Sequence, residues 1–321
     1  MQNFILTLCL CVAFIEAIVV PDPGLSTSSS NAHCQGRVCQ EKHIFPRAQR
    51  EKCDAARYPQ KEKSLEATRS INNVSIVRRA MNLPTPGLMD AFIMDETGDN
   101  GDGVAVVWSL YDKDSKNEYD VNTAVYYDYK KERSLVATML RGCTMLAIIN
   151  RKAVYMGHYW ESLAFAPDEV PSGDTKEDIF QRIVIGGLRN GVDAPGRALQ
   201  MSLTRFAKDY ADDNVRAFLI RPHENSDQNN DGRDGYPDEW AMMRNEVVRI
   251  IPKIGEPGRW ESVIYNVAPN RRILESTVAG RVLFKVDPEH VPAVSRRKKA
   301  TSLAVLWVED REIYRDEWQD S

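Results

Sequence analysis

Long apolar runs, interrupted at short intervals by polar residues, dominate the chain after about residue 85. Residues 103–110, 121–129 and 139–160 are rich in the β-branched and aromatic types that favour strands. Within 139–160 the longest polar break is Asn150-Arg151-Lys152, a pattern that predicts a strand, a tight polar turn and a second strand. Further strand-like runs lie at 215–220, 260–267, 281–286, 302–308 and 313–318.

Helical patterns occupy fewer positions than strand patterns. Residues 174–178 combine capping and acidic residues, and apolar residues at helical spacing follow until Gly191. Pro237 stands near the first turn of a second predicted helix, which spans 237–251 with Trp240 and Met243 among its apolar positions. Residues 64–81 fit a helix more loosely.

Strands therefore outnumber helices, and their order is not a regular alternation. This predicts an α+β fold, mainly an antiparallel β-sandwich or sheet flanked by a few helices. Residues 18–63 are polar and weakly periodic, which is typical of flexible chain, and Pro84-Thr85-Pro86-Gly87 breaks the chain. We predict a signal peptide at 1–17, a flexible N-terminal arm at 18–84 with a disulfide and a short helix, and a single α+β domain at 85–321.

The first residues indicate the cellular location of the protein. Residues 4–15 are apolar but too short to span a bilayer comfortably, and Ala17 suits cleavage by signal peptidase. We therefore expect a secreted, extracellular protein, with an uncleaved anchor as the alternative. Asn73, in Asn-Val-Ser, is a glycosylation acceptor that agrees with secretion.

Composition narrows the classes of partner. The 321 residues are 43% apolar and 27% charged, as in ordinary globular proteins, and the net charge is −4. No overall basic field favours nucleic acid, so we expect no nucleic-acid partner. No later apolar stretch is long enough for a membrane span, so we expect no membrane association after signal cleavage. The protein substrate and the oligomeric state stay open.

The cysteines leave two alternatives. Cleavage after Ala17 would leave Cys34, Cys39, Cys53 and Cys143. The first three lie close together in sequence and are the disulfide candidates in an oxidising compartment. Cys143 then either joins a second disulfide, which ends any role as a nucleophile, or stays free together with one other thiol.

Cys143 and His158 flank the predicted hairpin. Because paired strands lie ~5 Å apart, a hairpin of this length can place its two outer ends side by side. A thiol beside an imidazole is the minimum geometry of a Cys-His nucleophilic pair, in which the histidine takes the thiol proton. The ion pair would lower the pKa of the thiol.

The neighbours of the two residues fit the same chemistry. Gly142 allows a sharp backbone turn before the thiol, and the backbone amides between Gly142 and Thr144 are candidates for an oxyanion hole. Tyr159 and Trp160 follow the histidine and are candidates for the wall of a pocket.

Leu140-Arg141-Gly142-Cys143, with His158 downstream, resembles the Leu-Ser-Gly-Cys … His signature of bacterial toxin glutamine deamidases, the cytotoxic necrotizing factor group. Arg141 stands where that signature has serine. Chemoreceptor glutamine deamidases also combine a cysteine that follows a glycine with a downstream histidine. The resemblance implies a β-sandwich flanked by helices, with Cys143 and His158 as the catalytic pair; the group that orients the histidine has no counterpart here. The whole chain also resembles secreted proteins of filamentous fungi.

The resemblance implies a hydrolase that needs no cofactor. The Cys143 thiolate would attack the carboxamide of a protein glutamine and release ammonia, and water would hydrolyse the thioester to glutamate. An amine in place of water would give transglutamination, and the same apparatus could cleave a peptide. The alternative is a non-catalytic secreted interaction or effector module in which Cys143 is structural.

One loop carries part of a metal-binding pattern. Asp227, Asn229 and Asp231 match the first half of a calcium loop, but Asp238 stands where a glutamate is expected. The sequence before the loop indicates a strand instead of the usual entering helix. We therefore predict a polar surface loop and no metal, with a calcium-stabilised binding domain as the remaining alternative.

Overall fold

The computed structural model describes residues 81–98, 101, 103–106, 109–112, 117–194, 197–223, 235–293 and 299–319. Several predictions fall outside this part of the chain. They are the signal peptide, most of the arm and of the helix at 64–81, Cys34, Cys39, Cys53, the acceptor Asn73, and the calcium candidates Asp227, Asn229 and Asp231.

The described residues form short helices and longer strands. The helices are α1 (Met89–Glu96), α2 (Lys176–Phe180), α3 (Gly186–Asn190), α4 (Leu203–Phe206), α5 (Pro237–Ile250) and α6 (Arg271–Ser276). The strands are β1 (Val104–Ala105), β2 (Ser109–Asp112), β3 (Asn117–Asp120), β4 (Thr123–Asp128), β5 (Arg133–Ala137), β6 (Thr144–Ile149), β7 (Ala153–Tyr159), β8 (Val192–Ala194), β9 (Arg197–Gln200), β10 (Arg216–Pro222), β11 (Trp260–Tyr265), β12 (Val282–Val291), β13 (Thr301–Val308) and β14 (Arg311–Gln319).

Two larger sheets organise the fold. The seven-stranded sheet has the order β11-β10-β6-β7-β4-β9-β8, and the five-stranded sheet has the order β1-β5-β12-β13-β14. Most neighbours are antiparallel, while β10/β11, β4/β9 and β1/β5 are parallel. β2 and β3 form a separate two-stranded ribbon.

An apolar core lies between the two larger sheets. It joins Met145, Met156 and Phe218 of the seven-stranded sheet to Phe284 and Leu306 of the five-stranded sheet. Both sheets therefore bury one face against each other, as in a β-sandwich.

The outer faces of the two sheets are also covered. On the seven-stranded sheet, Leu146 and Tyr155 pack with Phe180 of α2 and Trp240 of α5. On the five-stranded sheet, Leu283 and Trp307 pack with Phe92 and Ile93 of α1. The predicted α+β class, with packed sheets flanked by helices, is confirmed.

The central hairpin follows its predicted course. β6 and β7 pair in antiparallel fashion around residues 150–152, and every residue of both strands is buried. The buried Asn150 holds the turn, because its Oδ1 accepts hydrogen bonds from the backbone of Lys152 and Ala153, each at 2.9 Å. Its Nδ2 donates to the carboxylate of Asp212 at 2.8 Å.

The predicted helix start at 174–178 is also confirmed. The Thr175 hydroxyl accepts from the Asp178 backbone, and the Asp178 carboxylate accepts in return from the Thr175 backbone, which makes a capping box. The helical course then changes to a π-turn at Gln181–Ile185 before α3. It ends at Gly191, whose φ of 74° lies in the left-handed region that glycine tolerates.

Several boundaries differ from prediction. The run at 103–110 is not one strand, since β1 and β2 belong to different sheets. β12 extends beyond 286 to Val291. Met81 already packs in the core under α1, so the packed region includes residues before 85.

Candidate functional site

The hairpin places Cys143 and His158 on one face of the seven-stranded sheet. The register pairs Met145 with His158 and Thr144 with Tyr159. Residues directly opposite each other share a face, and side chains alternate along a strand. Cys143, two residues before Met145, therefore points to the same side as His158, which is the side that faces the other large sheet.

Cys143 is sealed in the core between the sheets. Its exposed fraction is 0%, and Met145, Met156 and Trp160 belong to the same apolar cluster. The sulfur is held in a disulfide. Of the two alternatives for Cys143, this structure corresponds to the one in which it joins a disulfide, and its role as a free nucleophile stays a prediction.

His158 is buried, and its ring lies among side chains that offer it no hydrogen bond in the described part of the chain. Its exposed fraction is 0%, and neither ring nitrogen is hydrogen-bonded within the described part of the chain. The ring meets the edge of Trp160 at a centroid distance of 5.0 Å. Burial lowers the pKa of His158 to about 3, because the cationic form is poorly solvated there. Within the described residues neither nitrogen of His158 bonds to Cys143, so the dyad is not assembled in this structure and stays a prediction.

One of the predicted oxyanion groups, the Gly142 amide, is already in use. The backbone amide of Gly142 donates to the Tyr265 hydroxyl at 2.9 Å, and that hydroxyl donates to the Cys143 carbonyl at 2.9 Å. The Thr144 hydroxyl accepts from the Trp240 indole at 3.0 Å. Tyr265 and Trp240 lie far from the hairpin in sequence. The hairpin start is thus a structural junction with β11 and α5, and the Gly142 amide is not open to a developing oxyanion.

The open side of Gly142 is occupied by Glu161. Gly142 has a φ of +97°, and a methyl group on its Cα would collide with the Glu161 carboxylate. Glu161 opens the π-turn Glu161–Phe165, and its Oε1 accepts from the Tyr236 hydroxyl at 2.6 Å. The glycine therefore makes room for a side chain of the protein itself.

The predicted pocket residues fill the two cores. Trp160 belongs to the core between the sheets, and its indole donates to the Val121 carbonyl at 3.0 Å. Tyr159 is fully buried on the opposite face, among the helix-packed residues. Both side chains are therefore taken up by core packing in this structure, and a role in the wall of a substrate pocket stays a prediction.

An open cavity of about 190 Å³ lies elsewhere, between α5 and the π-turn that precedes α3. Arg189 and Arg249 flank it, and both bind the carboxylate of Glu246 at 2.6–3.0 Å. Ile185 and Met242 supply its apolar side. The sequence pattern alone did not indicate this cavity, because its lining combines residues from helical segments that are far apart in sequence.

Glu246 is the electrostatic centre of this cavity. The residue is only 5% exposed, and burial alone would raise its pKa. The hydrogen bonds from Arg189 and Arg249 more than offset burial and lower the pKa of Glu246 to about 2. Two arginines facing one carboxylate leave the cavity with a net positive character.

Other site types are not built from the described residues. No group of three or more histidine, cysteine, aspartate or glutamate side chains in this part of the chain is arranged to hold a metal ion. Within the same residues, no helix combines the length and the apolar character needed to cross a membrane.

No protein-family model, curated protein or solved structure matches this chain. The resemblance to glutamine deamidases therefore rests on the segment 140–158 alone.

Proposed function

We propose that the chain is a non-catalytic secreted interaction or effector module in which Cys143 is structural. The observation that supports this proposal most directly is the state of Cys143, which is fully buried and disulfide-bonded. Nucleophilic catalysis requires an accessible thiolate. Glutamine deamidation, transglutamination and proteolysis stay predictions that require that thiolate.

Secretion is part of the proposal. The apolar segment before Ala17 is typical of a signal peptide. Disulfides persist mainly in oxidising compartments, so a disulfide at Cys143 supports an extracellular location. Expression with residues 1–17 intact, followed by N-terminal sequencing of protein from the medium, tests this part. A mature N-terminus after Ala17 is the expected result, and retention in the cell contradicts secretion.

The absence of catalysis has a direct test. Purified protein, oxidised or treated with reductant, is incubated with casein as a glutamine-rich substrate, and released ammonia is measured. We expect no release above the blank in either state. Ammonia release that disappears in Cys143→Ala but persists in a His223→Gln control would overturn the proposal in favour of the deamidase.

We place the partner contact at the cavity beside Arg189 and Arg249. Arginine is enriched in the residues that dominate protein interfaces, and the net positive character of this cavity fits an acidic group on the partner. The apolar Met242 and Ile185 beside the arginines provide a desolvated surface for the same contact.

The contact is tested with a pair of substitutions on α5. Asn245 is exposed and lines the cavity, so Asn245→Trp should fill it without disturbing the core. Arg244, also exposed, does not line the cavity and gives the matched control Arg244→Trp. The labelled protein is applied to fixed cells and to isolated cell-wall polysaccharide. We expect at least a tenfold loss of retention in the first variant alone; no retention of the wild type, or an equal loss in both variants, contradicts the assignment.

A further inference from the structure

A buried ion pair lies on the outer face of the five-stranded sheet. Lys285 of β12 donates to Oε1 of Glu96, the last residue of α1, at 2.6 Å. The side chains are 4% and 11% exposed, and the Lys285 ammonium lies 5.5 Å from the centre of the Phe92 ring. The pair is therefore largely removed from water, under the helix that covers this sheet.

A third group reaches the same oxygen. The side-chain amide of Asn82 donates from Nδ2 to Oε1 of Glu96 at 3.3 Å. The amine nitrogen and the amide nitrogen thus converge on one carboxylate atom, and their separation cannot exceed the sum of the two distances. The charges of Lys285 and Glu96 already balance without Asn82. The hydrogen bond from Asn82 is therefore an observation separate from the ion pair.

The backbone next to Asn82 is anchored beside the same strand. The Met81 amide donates to Oδ2 of Asp287 at 3.2 Å, and the Met81 side chain is 3% exposed in the core under α1. Asp287 follows Lys285 by two residues, so the two side chains lie on the same face of β12. The segment is held where the Asn82 side chain meets the ion pair.

We propose that Lys285 and Asn82 condense to an intramolecular isopeptide bond, with Glu96 as the proton carrier. Glu96 accepts a proton from the Lys285 ammonium, and the neutral Nζ attacks Cγ of Asn82. The Nζ–Cγ bond forms and the Cγ–Nδ2 bond breaks. One of the two protons lost by Nζ leaves with Nδ2 as ammonia, and the other stays on Glu96, which ends as the neutral acid. The step consumes no oxidant, reductant or other reactant.

The surroundings favour this exchange of one amide for another. Lys285 and Asn82 are both held against one oxygen of Glu96, and groups held near each other by a fold react as though at high concentration, because the entropy of bringing them together is already lost in folding. Glu96 touches both nitrogens, which is the position that a general base and acid requires. The product replaces a buried charge pair by a neutral amide, which removes the desolvation penalty of two ions.

The wild-type protein itself gives the first test. We expect its mass, after reduction and removal of glycans, to be lower by one ammonia than the sequence of its mature N-terminus requires. After trypsin digestion we expect a branched peptide that joins the segment with Asn82 to the segment with Lys285. Trypsin should not cut after Lys285, because its amine is blocked.

Two variants distinguish the isopeptide bond between Lys285 and Asn82 from other modifications that lower the mass. Lys285→Arg keeps a cation beside Glu96 but cannot form the amide, and Asn82→Ala changes an exposed residue whose loss the fold should tolerate. Both should return to the unmodified mass, and the far-ultraviolet circular dichroism of Asn82→Ala should match the wild type. An unmodified wild type with free cleavage at Lys285 overturns the proposal. Loss of ammonia without the branched peptide, as in cyclisation of Asn82 alone, also overturns it.

Discussion

At the scale of single residues, Gly142 has two separate requirements for glycine. Its φ of +97° is unfavourable for other residues, and its Cα faces the Glu161 carboxylate. Gly173 shares the first requirement, with a φ of +94°, but no atom lies within 4 Å of the position a methyl group would take. The two glycines therefore form a matched pair.

Gly142→Ala should destabilise the protein more than Gly173→Ala. Backbone strain alone is expected to cost about 1–3 kcal/mol at either site, and the contact with Glu161 adds to that cost at Gly142 alone. Denaturant unfolding of both variants measures the difference. Equal losses would show that Glu161 moves aside freely, and Glu161→Ala in the Gly142→Ala background should recover part of the loss.

His158 predicts a sensitivity to acid. The folded-state pKa of about 3 lies below the ordinary 6.5, so the unfolded chain binds the proton more readily than the folded one. Protonation of His158 therefore costs no stability above pH 6.5, and the free energy of unfolding falls as the pH drops from 6.5 toward 3. The expected slope is about 1.4 kcal/mol for each pH unit well inside this window, measured as the free energy of unfolding against pH.

His158→Phe should remove this slope. Because neither nitrogen of His158 has a hydrogen-bond partner among the described residues, an aromatic ring of similar size should fit beside Trp160 and keep or raise the stability at neutral pH. His223 is exposed, and His223→Gln should retain the acid slope of the wild type. An unchanged slope in His158→Phe would contradict the assignment.

The local sequence predicted the positions of Cys143 and His158 but not their environment. Residue spacing in a hairpin determines which side chains share a face, and that much follows from the pattern around residues 150–152. Burial of the sulfur and the use of the Gly142 amide depend on Tyr265 and on the other sheet. Such contacts between distant segments leave no periodic signal in the chain.

At the scale of elements, Glu246 connects α5 to α3 through Arg189. Glu246→Gln should weaken this connection, and charge-assisted hydrogen bonds suggest a loss of about 1–3 kcal/mol at neutral pH. The pKa of Glu246 is lowered from 4.5 to about 2, so the contribution is present above pH 4.5 and is lost as the pH falls toward 2. Unfolding at neutral pH and at pH 3 measures both effects.

The β14 pair of Glu312 and Arg315 supplies the control for that measurement. These residues also form a two-bonded ion pair, but both side chains are at least one-third exposed. Glu312→Gln should cost well under 1 kcal/mol, as is usual for surface pairs. A similar loss in both variants would contradict the importance of burial at Glu246.

Elements with strong local signals were predicted well, and short ones were not. The hairpin, the capped helix start near Thr175 and α5 each carry a pattern several residues long. β1, β8 and β9 have four residues or fewer, and α1 has a mixed sequence without a clear apolar stripe. Their conformation depends on the sheet or core that receives them.

At the scale of the molecule, Cys143 beside the central sheet is disulfide-bonded. Removing a native disulfide from a secreted domain typically costs about 2–5 kcal/mol, so reductant should lower the melting temperature of the wild type clearly. Cys143→Ala should melt low with or without reductant. A thiol reagent should not label Cys143 in the native, unreduced protein; fast labelling would contradict the disulfide.

The layered arrangement of helices and sheets also changes what specifies the central hairpin. In most antiparallel strands, the alternation of apolar and polar residues prevents a shift of one position, because the shift would expose the apolar face. β6 and β7 are covered on both sides, so a shifted pairing would bury almost as much apolar surface. Correct alignment during folding then depends on the polar turn, where Asn150 locks Lys152 and Ala153 and reaches Asp212. The Asn150 side chain thus disfavours a shifted pairing of β6 and β7, which burial of apolar surface alone would not disfavour.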